Sequence, residues 1–142
     1  MQPARLIVCE RMGQWAVALG RELAGSHVPM CQTRSLGECR DELADSPASL
    51  LALELSETNL PHILDQLEHV AARYPVARVV VLSARTMENY EWLLREMGAQ
   101  HVASSPRQLA PVARLARRHL AEAPAAELTL SQQIMASLPW QD

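Results

Sequence analysis

The stretch Ser49-Leu50-Leu51-Ala52-Leu53-Glu54-Leu55-Ser56-Glu57 constrains the fold more than any other part of the chain. Bounded by Ser46-Pro47 before it and Ser56-Glu57-Thr58-Asn59 after it, this apolar run reads as a strand buried on both faces. Strands of that kind belong to parallel sheets covered by helices, and such sheets take ligands in the crevice at the carboxyl ends of their strands. Glu54 falls where this strand emerges, so the run delivers a carboxylate to that crevice.

The rest of the chain supports the same architecture, because short apolar runs alternate with helical patterns. Leu6-Ile7-Val8-Cys9 reads as a first strand, followed by a helix with Trp15, Leu19 and Leu23 inward until Gly25. Val28 to Thr33 reads as a second strand, with Pro29 marking an edge or a frayed start. Ser35 and Glu38 form a capping box ahead of Leu36, Cys39 and Leu43. After the third strand, Asn59 is the expected cap of a helix carrying Leu60, Ile63, Leu64, Leu67 and Val70, which Tyr74-Pro75 ends. Val79-Val80-Val81-Leu82 is the fourth strand. Tyr90, Leu93, Leu94 and Met97 mark the fourth helix up to Gly98, and His101-Val102-Ala103 is a short fifth strand. Ser105-Pro106 then leads into a fifth helix with Leu109, Val112, Ala116 and Leu120 inward.

The expected fold is therefore a doubly wound α/β domain with a five-stranded parallel sheet over residues 1–121. Residues 122–142 differ in character: Ala123-Pro124-Ala125-Ala126 reads as a linker, and Thr129 with Gln132 as another capping box. Leu130, Ile134 and Leu138 recur four apart before Pro139-Trp140, the pattern of a short amphipathic extension.

Composition narrows the function classes. At 142 residues the chain suits one domain with a sizeable core, and the net charge of -3 offers no electrostatic footprint for nucleic acid. The apolar part of residues 1–10 is too short for a signal peptide or a membrane span. Cys9, Cys31 and Cys39 form no CxxC pair and suggest reduced thiols, so a cytoplasmic protein is expected. All thirteen basic residues are arginine, and the chain contains no lysine. No Gly-rich phosphate loop and no Gly-x-Ser-x-Gly elbow is present.

Four segments, in order and at the right spacing, resemble the receiver domains of two-component response regulators (CheY-like, flavodoxin-like fold). They are Leu6-Ile7-Val8-Cys9-Glu10, Leu51-Ala52-Leu53-Glu54-Leu55, Val79-Val80-Val81-Leu82-Ser83-Ala84-Arg85, and Met97-Gly98-Ala99 through Ser105-Pro106. The resemblance covers residues 4–121. It implies a phosphoacceptor aspartate, an acidic pair holding magnesium through oxygen ligands, a hydroxyl residue and a lysine that stabilise the transferred phosphoryl group.

This chain departs from that set at most positions. Cys9 stands at the first acidic position beside Glu10, Glu54 stands in place of the aspartate, and Ser105 in place of the lysine, while Ser83 matches the hydroxyl. Val102 falls where receivers carry an aromatic switch residue. Lengthening the acceptor side chain by a methylene misplaces it for in-line attack, and losing the lysine removes a cation worth roughly 3 kcal/mol or more of transition-state stabilisation. The resemblance thus implies a degenerate pseudo-receiver: a non-catalytic signalling or adaptor module that needs no cofactor, with Cys9, Glu10, Glu54, Ser83 and Ser105 as a degenerate phosphoacceptor pocket. Glu54 is either a fixed imitation of a phosphorylated aspartate or a vestigial acid, paired with Arg11 or Arg85. A second reading keeps phosphate- or metal-dependent switching at Glu10, Glu54 and Ser83, with Glu10 and Glu54 as weak magnesium candidates. A third is a flavodoxin-like small-ligand domain.

The expected partners are proteins, including a second copy of the chain, and not nucleic acid or membrane. Tyr90, Trp92, Arg114, Arg117 and Arg118 form one candidate interaction surface, since tryptophan beside arginine is typical of interface anchors. Leu130, Ile134, Leu138 and Trp140 form the other, at the spacing of helices that dock in grooves. His62 and His69, seven apart on one helix, lack a third ligand and read as surface residues.

Overall fold

A computed structural model describes residues 2–84 and 88–122. Five parallel strands form one sheet: β1 (Leu6–Cys9), β2 (Met30–Thr33), β3 (Leu50–Leu55), β4 (Arg78–Ser83) and β5 (Ala99–Ala103), in the order β2-β1-β3-β4-β5. The connecting helices are α1 (Gln14–Glu22), α2 (Leu36–Asp45), α3 (Leu60–Arg73) and α4 (Glu88–Glu96), and a fifth, α5, runs over residues 110–122. No helix among the described residues is long and apolar enough to cross a membrane.

Side-chain alternation along the strands sorts the core into two layers. Leu6, Val8, Leu50, Ala52, Val80 and Leu82 pack on Trp15 and Leu19 of α1 and on Val112, Ala113, Ala116 and Leu120 of α5. Ile7, Cys9, Leu51, Leu53, Leu55, Val79 and Val81 pack on Cys39 and Leu43 of α2, Ile63, Leu67 and Val70 of α3, and Leu94 of α4. The chain goes from β1 to β2 on one side and to β3 on the other, which makes the gap between β1 and β3 the switch point where such sheets form a crevice. Cys9 pairs with Leu53 across that gap, so Glu10 and Glu54 stand next in register beyond it.

Local chemistry moves several boundaries from their expected places. Pro29 stays outside β2, whose register with β1 begins at Met30, although the Pro29 carbonyl still accepts from Leu6 N–H at 2.9 Å. β5 begins at Ala99, directly after Gly98 with its φ of 115° ends the α4 turn. Ser105-Pro106 does not open α5 itself but a 3-10 turn over Pro106–Gln108, and the Ser105–Pro106 peptide is trans. The Ser35–Glu38 box forms with a shift: Glu38 N–H donates to Ser35 Oγ at 3.1 Å, while the Glu38 carboxylate accepts from Arg34 N–H at 3.2 Å.

Candidate functional site

The site begins with how α1 starts. Gly13 occupies its N-cap with φ 86°, and a glycine there supplies no side chain to satisfy the first N–H groups of the helix. Glu10, four positions past the start of β1, does so instead. Its carboxylate accepts from Trp15 N–H at 2.8 Å and from Ala16 N–H at 2.6 Å, and the residue is buried. A carboxylate at a helix N-terminus gains both from charge-assisted bonds and from the helix dipole. Glu10 therefore serves α1 rather than the rim of the crevice.

Glu54 is engaged from the same helix. The buried Trp15 indole donates its Nε1–H to Glu54 Oε2 at 3.0 Å, and the Arg11 backbone N–H makes a long contact to Oε1 at 3.5 Å. Arg11 meets Glu54 through its backbone N–H rather than through the expected pairing with its guanidinium, and Arg85 lies outside the described residues. Trp15 thus holds both carboxylates, one by its main chain and the other by its ring. Sequence reasoning placed Trp15 only as a core residue. The signal that pointed further was chemical: a buried indole N–H requires an acceptor.

Beside Glu54 a cleft of about 390 Å³ opens at the ends of β3 and β4, lined by Glu54, Leu55, Ser56, Glu57, Thr58, Ser83 and Ala84. Asn59 fixes the loop that follows β3. Although it sits at the N-cap of α3, its side chain does not cap the helix. Its Oδ1 accepts from Ser56 N–H at 2.7 Å, and its Nδ2 donates to Glu54 C=O at 2.9 Å, tying the loop to the strand end.

Of the five expected pocket residues, Glu54 and Ser83 line this cleft together. Glu10 lies beneath α1, connected to Glu54 through Trp15. Cys9 faces the opposite side of the sheet, in the layer of α2 and α3. Ser105 caps the 3-10 turn, accepting from Arg107 N–H at 3.2 Å. Val102 is buried in that same α2 and α3 layer. Magnesium requires several oxygen ligands in octahedral array. Glu10 has its oxygens committed to α1 and Cys9 offers sulfur on the wrong face, so these residues do not fit that ion. No cluster of three or more histidine, cysteine or acidic residues suited to a metal occurs among the described residues.

The candidate interaction surface divides. Trp92 and Tyr90 on α4 are 65% and 41% exposed. Arg114 and Arg118 are exposed on α5, but Arg117 is occupied within the fold, donating to Ser26 Oγ and to Glu22 C=O, both at 2.7 Å. It therefore belongs to the α1–α5 contact rather than to a free basic face. Leu130, Ile134, Leu138 and Trp140 lie outside the described residues. His62 is exposed, and His69 packs its ring against Tyr74 with centroids 6.0 Å apart.

No protein-family model matches the sequence, and no curated protein matches it. Solved structures do match in shape. A CheY-like protein (tadZ) from Pseudomonas aeruginosa is 17% identical with a TM-score of 0.64, over 81% of this chain and 94% of that one. The beryllofluoride-activated NtrC4 receiver domain dimer gives 12% identity and a TM-score of 0.66, over 82% and 98%. The signal receiver domain of NarL from Mycobacterium tuberculosis gives 14% and 0.63, over 82% and 98%. At such identities the likeness is one of fold, and it agrees with the strand order and the β1–β3 switch point described above: the chain has the doubly wound, five-stranded fold that those receiver domains share.

Proposed function

We propose that this domain is a non-catalytic signalling or adaptor module, a pseudo-receiver that works in the cytoplasm through protein contacts and not through phosphotransfer. The observation that carries the reading is the double engagement of Trp15, which commits Glu10 to the start of α1 and gives Glu54 a standing hydrogen-bond donor. Magnesium-dependent phosphoryl transfer needs free oxygen ligands and a cation at the developing charge. Here Glu10 is spoken for, and the chain has no lysine to supply that cation.

The shared cleft of Glu54 and Ser83 favours one competing reading, residual phosphate- or metal-dependent switching. An NMR titration with magnesium, then magnesium plus beryllium fluoride, separates the two. The pseudo-receiver reading expects the amide resonances around Glu54, Ser83 and Trp15 to stay in place. Saturable shifts clustered there would establish a working pocket and remove the adaptor reading.

A further inference from the structure

At the opposite end of the sheet from the carboxylates, Pro3-Ala4 lead into β1 and Ser26-His27-Val28-Pro29 lead into β2. Between these two segments and the last turn of α5 lies a groove of about 330 Å³. Its apolar wall is continuous with the core: Ala4 and Leu120 belong to the buried α1–α5 layer, and the partly buried Val28 packs against that layer. Pro29 adds an exposed apolar ring. Arg117 also lines the groove, fixed there by donation to Ser26 Oγ and Glu22 C=O, both at 2.7 Å. Both acceptors are uncharged, so they place the guanidinium without neutralising it. No acidic side chain lines the groove among the described residues.

The chain supplies a segment at this spot. Ala121 lines the groove and the described chain ends at Glu122, so residues 123–142 start from the groove's edge. They contain Glu127 and Asp142 and no basic residue, while Leu130, Ile134 and Leu138 recur four apart. That composition matches the groove twice, with apolar residues at helical spacing for an apolar wall and only acids for a fixed guanidinium. Reach is sufficient: residues 123–127 span up to about 17 Å when extended.

We propose that residues 127–138 dock in cis in this groove, with the apolar repeat of Leu130, Ile134 and Leu138 on Val28, Pro29 and Leu120, and Glu127 toward Arg117. A second copy of the chain offers the same segment, and the tether decides between the two. A short flexible linker holds its segment at an effective concentration of about 1 mM, roughly a hundredfold above that of a chain dissolved at about 10 μM. The groove lies at the far end of the sheet from Glu54 and Ser83, so this docking holds whether or not their cleft responds to phosphate or metal. A protein that binds the α5 end of the domain must first displace the tail.

The test is NMR on the full chain. Ile134→Glu is expected to shift the amide resonances of Ser26, His27, Val28 and Ala121 and to leave those of Glu54, Ser83 and Trp15 in place. Pro29→Asp is the reciprocal change, since it sets an acid against an acidic segment at an exposed position outside β2. It is expected to shift the amides of residues 130–138 and the Trp140 indole N–H. Both sets of shifts are expected to persist on dilution, as a tethered contact requires. Groove resonances unmoved by Ile134→Glu, tail resonances unmoved by Pro29→Asp, or shifts at Tyr90 and Trp92 in place of the groove would overturn the proposal. So would shifts that fade on dilution, which would make a second copy the occupant.

Discussion

The Trp15 indole N–H has a different task from the Trp15 ring: the ring fills the α1 layer of the core, and the N–H meets Glu54. Trp15→Phe keeps most of the ring and removes the bond. It is expected to lower stability by about 1–3 kcal/mol in a denaturant titration, the range for a hydrogen bond to a charged group. A cycle with Glu54→Ala is expected to show a coupling energy of about 1 kcal/mol, whereas purely additive losses would mean that the indole–carboxylate contact contributes nothing. Glu10→Ala removes the acceptor of two helix-start N–H groups and is expected to cost about 2 kcal/mol. Glu10→Gln keeps one acceptor oxygen and is expected to recover part of that loss. Glu54 and Ser83 were legible in the sequence because each follows a run of strand residues that fixes its place in the crevice. The role of Glu10 was not. Its partners lie five and six residues on, and they reach it only because Gly13 adopts a positive φ that turns the chain back over the strand end.

At the scale of elements, helices with a clear apolar stripe were readable, and their ends less so. The α2 cap was visible as Ser35 and Glu38, because capping boxes are local chemistry. Asn59 marked the right position for α3 yet bonds backwards to the loop, since Ser56 N–H and Glu54 C=O are nearer competitors for its amide. Ser105-Pro106 leads toward α5 as expected, but through a 3-10 turn at Pro106–Gln108 that the sequence does not distinguish from a helix start, because Pro suits the first position of either. Between α4 and β5 the packing sets a pH response. Burial, with Arg95 adding to it, holds His101 below the ordinary 6.5, while Glu91 opposes the shift. The unfolded chain then binds the proton more tightly than the folded one, so stability rises with pH between the lowered folded value and 6.5 and falls as acid is added. His101→Gln is expected to flatten the dependence of the urea midpoint on pH in that interval. An unchanged slope would place the proton linkage elsewhere.

For the whole molecule, a five-stranded parallel sheet covered by helices followed from the alternation of apolar runs with helical patterns, while right-handed crossovers left a few topologies open, of which the chain adopts β2-β1-β3-β4-β5. What sequence reading left open was which face each thiol and carboxylate meets, because that depends on the pairing register across β1 and β3. The same register puts Glu10 and Glu54 toward α1 and Cys9 toward α2. Both layers close within the described residues: Leu120 and Val112 of α5 reach the α1 side of the sheet, and Arg117 fastens α5 to the end of α1. A chain ending at Glu122 is therefore expected to unfold in one cooperative transition, with Tm within about 4 °C of the full chain, the shift that roughly 1 kcal/mol produces at this size. A loss of several kcal/mol on this truncation would instead show that residues 123–142 complete the core, and would move the domain boundary beyond 122. If the truncated and full chains match in stability but differ in self-association by sedimentation velocity, the tail belongs to an interface. Trp92→Ala in the truncated chain then measures what the exposed α4 face adds to association.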